Sequence, residues 1–508
     1  MVAVTTSTWW RDAVLYEVYI RSFSDSDGDG IGDLEGIRSR LDYLQELGVD
    51  GIWITPFYPS PGVDHGYDVA EYCDVDSLFG TLDDFDRLLA DAHATGLRIL
   101  VDLVPNHTSR AHPWFRERPE YYIWRAEPNN WLSAFGGAAW TWDAERGEYY
   151  LHLFAPEQPD LDWHNPDVQR EFVEILRFWL DRGVDGFRVD VAHALFKPAD
   201  LPNEVEPNPA RDPSTFDHRI AIDQPELHPL YRQWRSLLGS YARDPILLGE
   251  VYIHDPVRVA EYVRSDELHL AFNFKLLKDD WNAEAMGSTI EATLDALAAV
   301  DARPTWVLES HDAVRAATRY GGGPAGRARA LAGALMLLAL PGTVCLYQGQ
   351  ELGLEEVDLP DEMRQDPVFF RSERRRIGRD GCRVPIPWNQ APPSFGFTSG
   401  TPWLPMPTDW GAASVTTQRG VDGSTLDLIR SAISIRREYE AMRGGFFSRR
   451  DSPPGTLVYE RAGPNETIVC AVNVSGEPLE VPDGEVLLRS DVSTESPLAR
   501  DAAAWVLE

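Results

Sequence analysis

Three carboxylates and one arginine stand at the ends of apolar runs, and their types suit the cleavage of a glycosidic bond. Arg188 and Asp190 lie two apart in GFRVDVAH (Gly186 to His193), so on a strand both side chains project from one face. Glu250 closes the run ILLGE, and Asp312 follows TWVLESH. Such cleavage needs one ionised and one protonated carboxyl group. Arg188 is expected to lower the pKa of Asp190 and keep it charged, as a nucleophile requires. Glu250, flanked by apolar residues with no cation next to it in sequence, suits the proton donor. Asp312 would stabilise positive charge on the sugar or hold its hydroxyls, with His107 and His311 donating hydrogen bonds. An Arg–Asp pair at a strand end also occurs as a purely structural ion pair. Three acidic groups at one barrel mouth argue against that, because like charges crowd there and stability residues lie at the opposite face.

The elements that would carry these groups are eight short apolar strands separated by helical sequence. They are Ala13 to Ile20, Gly51 to Thr55, Arg98 to Val104, GFRVDV, Ile246 to Tyr252, His269 to Phe274, Thr305 to Ser310 and Thr343 to Gly349. Near-continuous apolar strands mean a parallel sheet buried on both faces, and eight βα units mean an α/β fold closed as a (β/α)8 TIM barrel. Leu34 to Gly48 reads as a helix. Thr81 with Asp84 resembles a capping box, with Gly96 as C-cap. Residues 1–104 form the first part of the barrel. Residues 105–166, rich in Trp, Tyr, Gly and Pro with a hairpin around WTWDAERGEYYLHLF, are too long for a loop and read as an inserted subdomain after strand three. Residues 167–443 complete the barrel, with a second insertion at about 351–424 after strand eight. Residues 444–508 read as a C-terminal antiparallel β domain built from TLVYERA, ETIVCAVNV, EPLEV and EVLLRSD.

The chain has 508 residues, 43% hydrophobic, with 81 Asp plus Glu against 47 Lys plus Arg and a formal net charge of -34. That balance opposes nucleic acid and anionic membranes and favours a neutral or cationic small-molecule ligand. Cys73, Cys345, Cys382 and Cys470 lack metal or redox spacing, so reduced thiols are expected. MVAVTTSTWWRDAVLYEVYI has no basic start followed by a long apolar core, and no run spans a bilayer. A cytoplasmic enzyme, monomeric or homodimeric, is expected.

The runs DLVPNH, GFRVDVAH, GEVY and SHD, in this order at strand ends three, four, five and seven, resemble the conserved regions of the α-amylase family, glycoside hydrolase family 13. DHGYD, QPDLDW and LYQGQELGL are similar to its α-glucosidase and oligo-1,6-glucosidase branch. The resemblance covers nearly the whole chain. It implies a retaining mechanism with Asp190 as nucleophile, Glu250 as acid/base and Asp312 as transition-state stabiliser. It further implies that His107, Arg188 and His311 contact the reacting sugar and that Asp64 and Tyr67 hold the non-reducing glucose. Arg379, with Arg383 as its competitor, would close that end of the pocket and make the enzyme exo-acting on small α-glucosides such as maltose, isomalto-oligosaccharides or sucrose. The same carboxylates serve glucosyl transfer or isomerisation. A non-catalytic amylase-like ectodomain of a transporter subunit would lack them and would carry a membrane span. Departures from the branch are Ser310 and Asp162 where Asn is usual, and His65 in DHGYD. Val191, directly after Asp190, resembles members that accept α-1,6 links.

DSDGDGIGD places Asp25, Asp27, Asp29, the Ile31 carbonyl and Asp33 at the odd-position spacing of a loop that wraps Ca2+ in oxygen ligands. It lacks the final glutamate of an EF-hand, since position twelve is Gly36. The alternative is a solvated Asp/Gly turn that caps the next helix. Family resemblance favours a structural Ca2+ away from the catalysis.

Overall fold

The computed structural model describes residues 9–204, 220–491 and 497–508. Residues 1–8, part of the N-terminal stretch read for a leader, lie outside the described residues. Eight parallel strands close into a barrel: β1 (Val14–Val18), β2 (Gly51–Ile54), β3 (Arg98–Leu103), β4 (Gly186–Val189), β5 (Ile246–Gly249), β6 (Leu270–Asn273), β7 (Thr305–Val307) and β8 (Thr343–Tyr347). Alternation along each strand separates two faces. Leu15, Trp53, Leu100, Leu248, Phe272, Val307 and Cys345 cluster inside the barrel, whereas Tyr16, Ile52, Ile99, Leu247, Trp306 and Val344 join the core beneath the helices. Burying each such Leu or Phe contributes about 1.5–3 kcal/mol.

The helix Pro166–Arg182 delivers the chain to β4. Asn165 caps it from the Asp167 N–H, proline takes its first position, and Gly183 ends it in the left-handed conformation. Gly186 then opens β4 at φ 150°, where a Cβ would stand 2.3 Å from the Ile246 carbonyl oxygen. No other residue type lets β4 lie so close to β5. Both strands end sooner than their apolar sequence suggests. β4 stops at Val189 and β5 at Gly249, which leaves Asp190 and Glu250 as the first residues past their strands.

Two other stretches differ from expectation. Leu34 to Gly48 is two helices, Leu34–Arg38 and Leu41–Leu47. Between them the Arg40 guanidinium is drawn 4.2 Å over the Trp388 ring, and the Arg40 backbone leaves the helical region. In the C-terminal domain the sheet order is Phe446–Arg450, Thr456–Ala462, Thr467–Asn473, Ala502–Leu507, Glu485–Arg489. EPLEV is not a strand and makes only the isolated bridge Leu479–Leu498; Pro478 and Pro482 remove two ladder donors. Phe446–Arg450 is an edge strand tied by Ser448 and Arg450 to Glu460. Ala502–Leu507 is buried almost throughout, so it shows no polar alternation to read.

Residues 105–166 carry a small sheet of Trp124–Arg125, Glu148–Leu151 and Trp140–Asp143, with Glu148–Leu151 central. Its hairpin turns at Gly147, and the Asp143 carboxylate accepts from the Glu145 and Arg146 N–H groups. The insertion after β8 reaches across to it. Arg371 and Arg376 donate to the Gly136 and Ala134 carbonyls, so the two insertions meet above the barrel mouth. No described helix is long and apolar enough to cross a membrane.

Burial pushes His107, His112, His152 and His193 down to about 4. In the unfolded chain each titrates near 6.5, as a model histidine does. Between these values the unfolded state takes up protons that the folded state refuses, so these four rings withdraw stability as the pH falls from about 6.5 to 4, while raised carboxyls such as Asp68 and Asp102 act the other way. Urea titrations across that window should show a His112→Asn variant losing less stability, relative to its own value at neutral pH, than the parent; an equal loss would mean that His112 protonates freely in the fold.

Candidate active site

Arg188 is the centre of the site. It is 2% exposed, and its guanidinium touches three carboxylates. Nη1 lies 2.6 Å from Asp190 Oδ1 and 3.0 Å from Asp102 Oδ1, and Nη2 lies 2.9 Å from Glu250 Oε2. Register explains the arrangement, because Arg188 pairs with Asp102 across β3 and with Leu248, two residues before Glu250, across β5. The Trp53 ring packs 4.7 Å beneath the guanidinium. Glu250 has no cation next to it in sequence, yet the fold gives it one: the arginine that pairs the nucleophile candidate also pairs the acid candidate.

The charge on Asp190 is correspondingly less simple than its neighbour in sequence suggests. Burial pushes its carboxyl up, Arg188 pulls it down, and the charges of Glu250 and Asp102 push it up again, so the net direction is upward. The expected lowering by Arg188 is present and is outweighed. Asp102, wholly buried, is pushed up to about 6 by burial against the pull of Arg188; it accepts from Trp53 Nε1 and Tyr67 OH. Carboxyl groups crowded on one cation behave as a coupled set. A proton placed on Glu250 removes one of the two charges that oppose ionisation of Asp190.

Asp312 is the most solvent-facing of the three, with 38% of its side chain exposed. Burial works against its charge, yet His311, Arg379, Arg383 and Arg188 hold it well below the usual carboxylate range. Its Oδ1 is 2.7 Å from Arg383 Nη2 and 3.1 Å from Arg379 Nη1. His311 stacks on Tyr67 with ring centres 5.4 Å apart and shares a 2.9 Å hydrogen bond with its hydroxyl. The other ring nitrogen, Nδ1, is 2.5 Å from Glu17 Oε1. Glu17 was not identified from sequence. A lone carboxylate inside the apolar run AVLYEVYI was the available signal.

These groups line one cavity of about 450 Å3, within the roughly 300–1,000 Å3 of small-molecule sites. One side of it is closed by ion pairs of Arg379, from the insertion after β8: its Nη2 reaches Asp64 Oδ1, in the loop after β2, at 2.7 Å, and its Nε reaches Asp366 at 2.8 Å. Arg383 is fully buried, donates to the His311 carbonyl and pairs with Asp312, so of these two arginines Arg379 is the one in the pocket wall. His107 lines the cavity, but its ring nitrogens are engaged by Asn106 Nδ2 and the Tyr67 carbonyl. Beneath it Lys197 is buried between Asp160, at 2.7 Å, and Asn106, a support that sequence reading also missed. The lining also has an apolar part, with Tyr252, Phe274, Leu277, Val314 and Ile377, of which Val314 and Ile377 are exposed.

The family profile described as alpha amylase, catalytic domain, matches residues 17–445. The chain belongs to the α-amylase family. It is a glycoside hydrolase of family 13, and its curated relatives are named accordingly. A probable alpha-glucosidase of Rhizobium meliloti (strain 1021) is 39% identical over 92% of this chain and 90% of its own length. An oligo-1,6-glucosidase of Parageobacillus thermoglucosidasius is 35% identical over the same shares. Among solved structures, an alpha-glucosyl transfer enzyme superposes with a TM-score of 0.90 at 40% identity, covering 98% of this chain and 100% of that one. The trehalulose synthase of Pseudomonas mesoacidophila MX-45 gives 0.89 at 32%, covering 99% and 100%.

The departures from the α-glucosidase branch of this family fall mostly outside the pocket. His65 is buried against Trp403, with ring centres 5.4 Å apart, and does not line the cavity. Asp162 caps a turn at the His164 N–H. Only Ser310 is in the wall, where its hydroxyl accepts from the Asp312 N–H at 3.3 Å.

In the loop after β1, single carboxylate oxygens of Asp25, Asp27 and Asp29 lie within 4.8 Å of one another. Among the described residues none of the three pairs with Lys or Arg, a convergence of like charge that fits Ca2+. Asp33 does not join them. Its oxygens accept from the Gly36 N–H and from Ser26 Oγ and N–H, capping the helix Leu34–Arg38. Ile31 gives its N–H to Asp29 Oδ1.

Removing the central cation leaves three buried or half-buried carboxylates without the positive charge they share. Arg188→Met should lower stability by about 3–5 kcal/mol, the cost of breaking a buried pair from one side. Chemical unfolding measures it, and a loss below about 1 kcal/mol, that of a surface pair, would remove Arg188 from the centre of the site.

Proposed function

We propose that the protein is a retaining, exo-acting α-glucosidase of small α-glucosides such as maltose, isomalto-oligosaccharides or sucrose. One observation carries this reading: Asp190 and Glu250 are held by the two ends of a single guanidinium. That bridge favours the close carboxyl spacing of a retaining pair, about 5–5.5 Å, over the roughly 6.5–9.5 Å that leaves room for an inverting water. Asp190 attacks the sugar's anomeric carbon while Glu250 gives its proton to the leaving oxygen, and water reverses the roles in the second step. The proton on Glu250 and the charge on Asp190 arrive together, since each favours the other. Asp312, held ionised by its cations, stabilises positive charge on the ring. Asp64 and Arg379 close the non-reducing end, which makes the action exo; Tyr67 and His311 shape the wall beside them. His107 contributes its ring face, because its nitrogens already have partners.

A second reading, glucosyl transfer or isomerisation, is favoured by the apolar part of the lining, where Tyr252, Phe274 and Val314 would seat an acceptor in place of water. It accords with the likeness to the alpha-glucosyl transfer enzyme and the trehalulose synthase. We place the protein in the cytoplasm because all four cysteines are free thiols, three of them buried.

Asp190→Asn and Glu250→Gln should each lower kcat on maltose by at least about 10^2-fold with folding intact, given that acid/base catalysis alone supplies roughly 10^2–10^4. Near-normal turnover in either variant refutes the assignment. In the same assays at high maltose or sucrose, new oligosaccharides or isomers mark transfer, and glucose release alone marks hydrolysis. For the acidic loop we propose a structural Ca2+ on Asp25, Asp27 and Asp29. Ca2+ should raise the melting temperature of chelator-treated protein by several degrees, on the order of the 1–2 kcal/mol per few degrees typical of domains this size. Asp27→Ala should abolish the rise; no rise in the parent protein sinks the site.

A further inference from the structure

Val191 is, among the described residues, the only β-branched one with a left-handed backbone, at φ 45°. Valine avoids that region, and here it directly follows the nucleophile. Its N–H donates to Glu250 Oε2 at 2.9 Å, the same oxygen that Arg188 Nη2 reaches at 2.9 Å. Two donors therefore converge on Oε2. A proton on Glu250 belongs on Oε1, which makes no hydrogen bond among the described residues.

The turn that aims this N–H is pinned on both sides. Before it, the Asp190 N–H donates to the Leu103 carbonyl at 2.8 Å; after it, the Ala192 N–H donates to the Glu250 carbonyl at 3.0 Å, and the Ala194 N–H returns to the Val191 carbonyl at 3.0 Å. The Val191 side chain is 4% exposed and belongs to one apolar cluster with Ile123, Trp131, Trp140, Leu151 and Leu153 of the inserted subdomain. Packing against that cluster is what holds a valine in a conformation its backbone disfavours.

We propose that the Val191 peptide N–H is a positioning group for the acid/base carboxylate, kept in place by the side chain's packing into the inserted subdomain. It occupies Oε2 so that the proton is presented on Oε1 to the leaving oxygen. In the first step the bond from the anomeric carbon to the leaving oxygen breaks, an Asp190 oxygen bonds to that carbon, and the Oε1 proton moves to the leaving oxygen. The resulting carboxylate charge is shared with the Val191 N–H and Arg188. The proposal rests on the α-glucosidase reading.

Replacing Val191 by its α-hydroxy acid exchanges the N–H for an ester oxygen and keeps the side chain. With maltose, whose leaving group needs the proton, kcat/KM should fall at least about 10-fold, part of the roughly 10^2–10^4 of acid catalysis. With 2,4-dinitrophenyl α-glucoside, which leaves unaided, the fall should stay below about 3-fold. Val191→Ala, which keeps the N–H but loosens the packing, should show the same selectivity at smaller size. Equal losses on both substrates, or no loss on either, overturn the proposal. Parent protein inactive on both overturns the α-glucosidase reading and the proposal with it, whereas an active parent with unselective variants overturns the proposal alone.

Discussion

One buried guanidinium sets the terms for the whole site. Arg188 is surrounded by Asp102, Asp190 and Glu250, and a cation so placed is stable only while its partners stay within reach. The barrel supplies that constancy. Asp102 and Arg188 are register partners on adjacent strands, and β5 delivers Glu250 at the same height. Glycine at position 186 lets β4 approach β5 closely enough for one side chain to serve both. Trp53 beneath and Tyr67 beside the guanidinium exclude water, so each pair acts at low dielectric.

With more carboxylates than cations at the centre, ionisation is collective. Asp190 and Asp102 are both raised by burial. Asp312 goes the other way, because Arg379 and Arg383 approach it from the insertion after β8. The chain thus divides its charges into a central cluster, in which burial works against ionisation of Asp190 and Asp102, and a peripheral carboxylate held charged. The proposed double displacement at a sugar makes use of such a division.

The two insertions do more than roof the barrel. One contributes Arg379 and the arginines that clamp the Ala134 and Gly136 carbonyls. The other contributes Gln158, which braces Asp64, and the apolar cluster that holds Val191 in its strained turn. Closure of the cavity at Asp64 and the placing of the Val191 N–H against Glu250 therefore depend on segments absent from the barrel itself. In this the protein follows the general habit of barrel enzymes, in which loops vary the chemistry on a constant frame.

Local pattern was enough to determine the barrel, since eight apolar runs alternating with amphipathic stretches have few other ways to bury both faces of their strands. It was also enough to place Arg188, Asp190, Glu250 and Asp312 at strand ends. The edge strand Phe446–Arg450 and the buried strand Ala502–Leu507 escaped, because one is polar on its exposed side and the other apolar on both. Odd spacing could not show that Asp33 turns its oxygens to its own helix and to Ser26, outside the cluster of Asp25, Asp27 and Asp29, because it does not distinguish an oxygen turned to a cation from one turned to a backbone N–H. What tertiary structure alone decided is the partnership: that Arg188 serves Glu250 as well as Asp190, that Glu17 fixes His311, and that the Val191 amide touches the Glu250 carboxylate. Those contacts join residues as many as 294 positions apart. Spacing along the chain sets which way a side chain points, whereas Coulomb and hydrogen-bond energies depend on distances that only closure of the barrel defines.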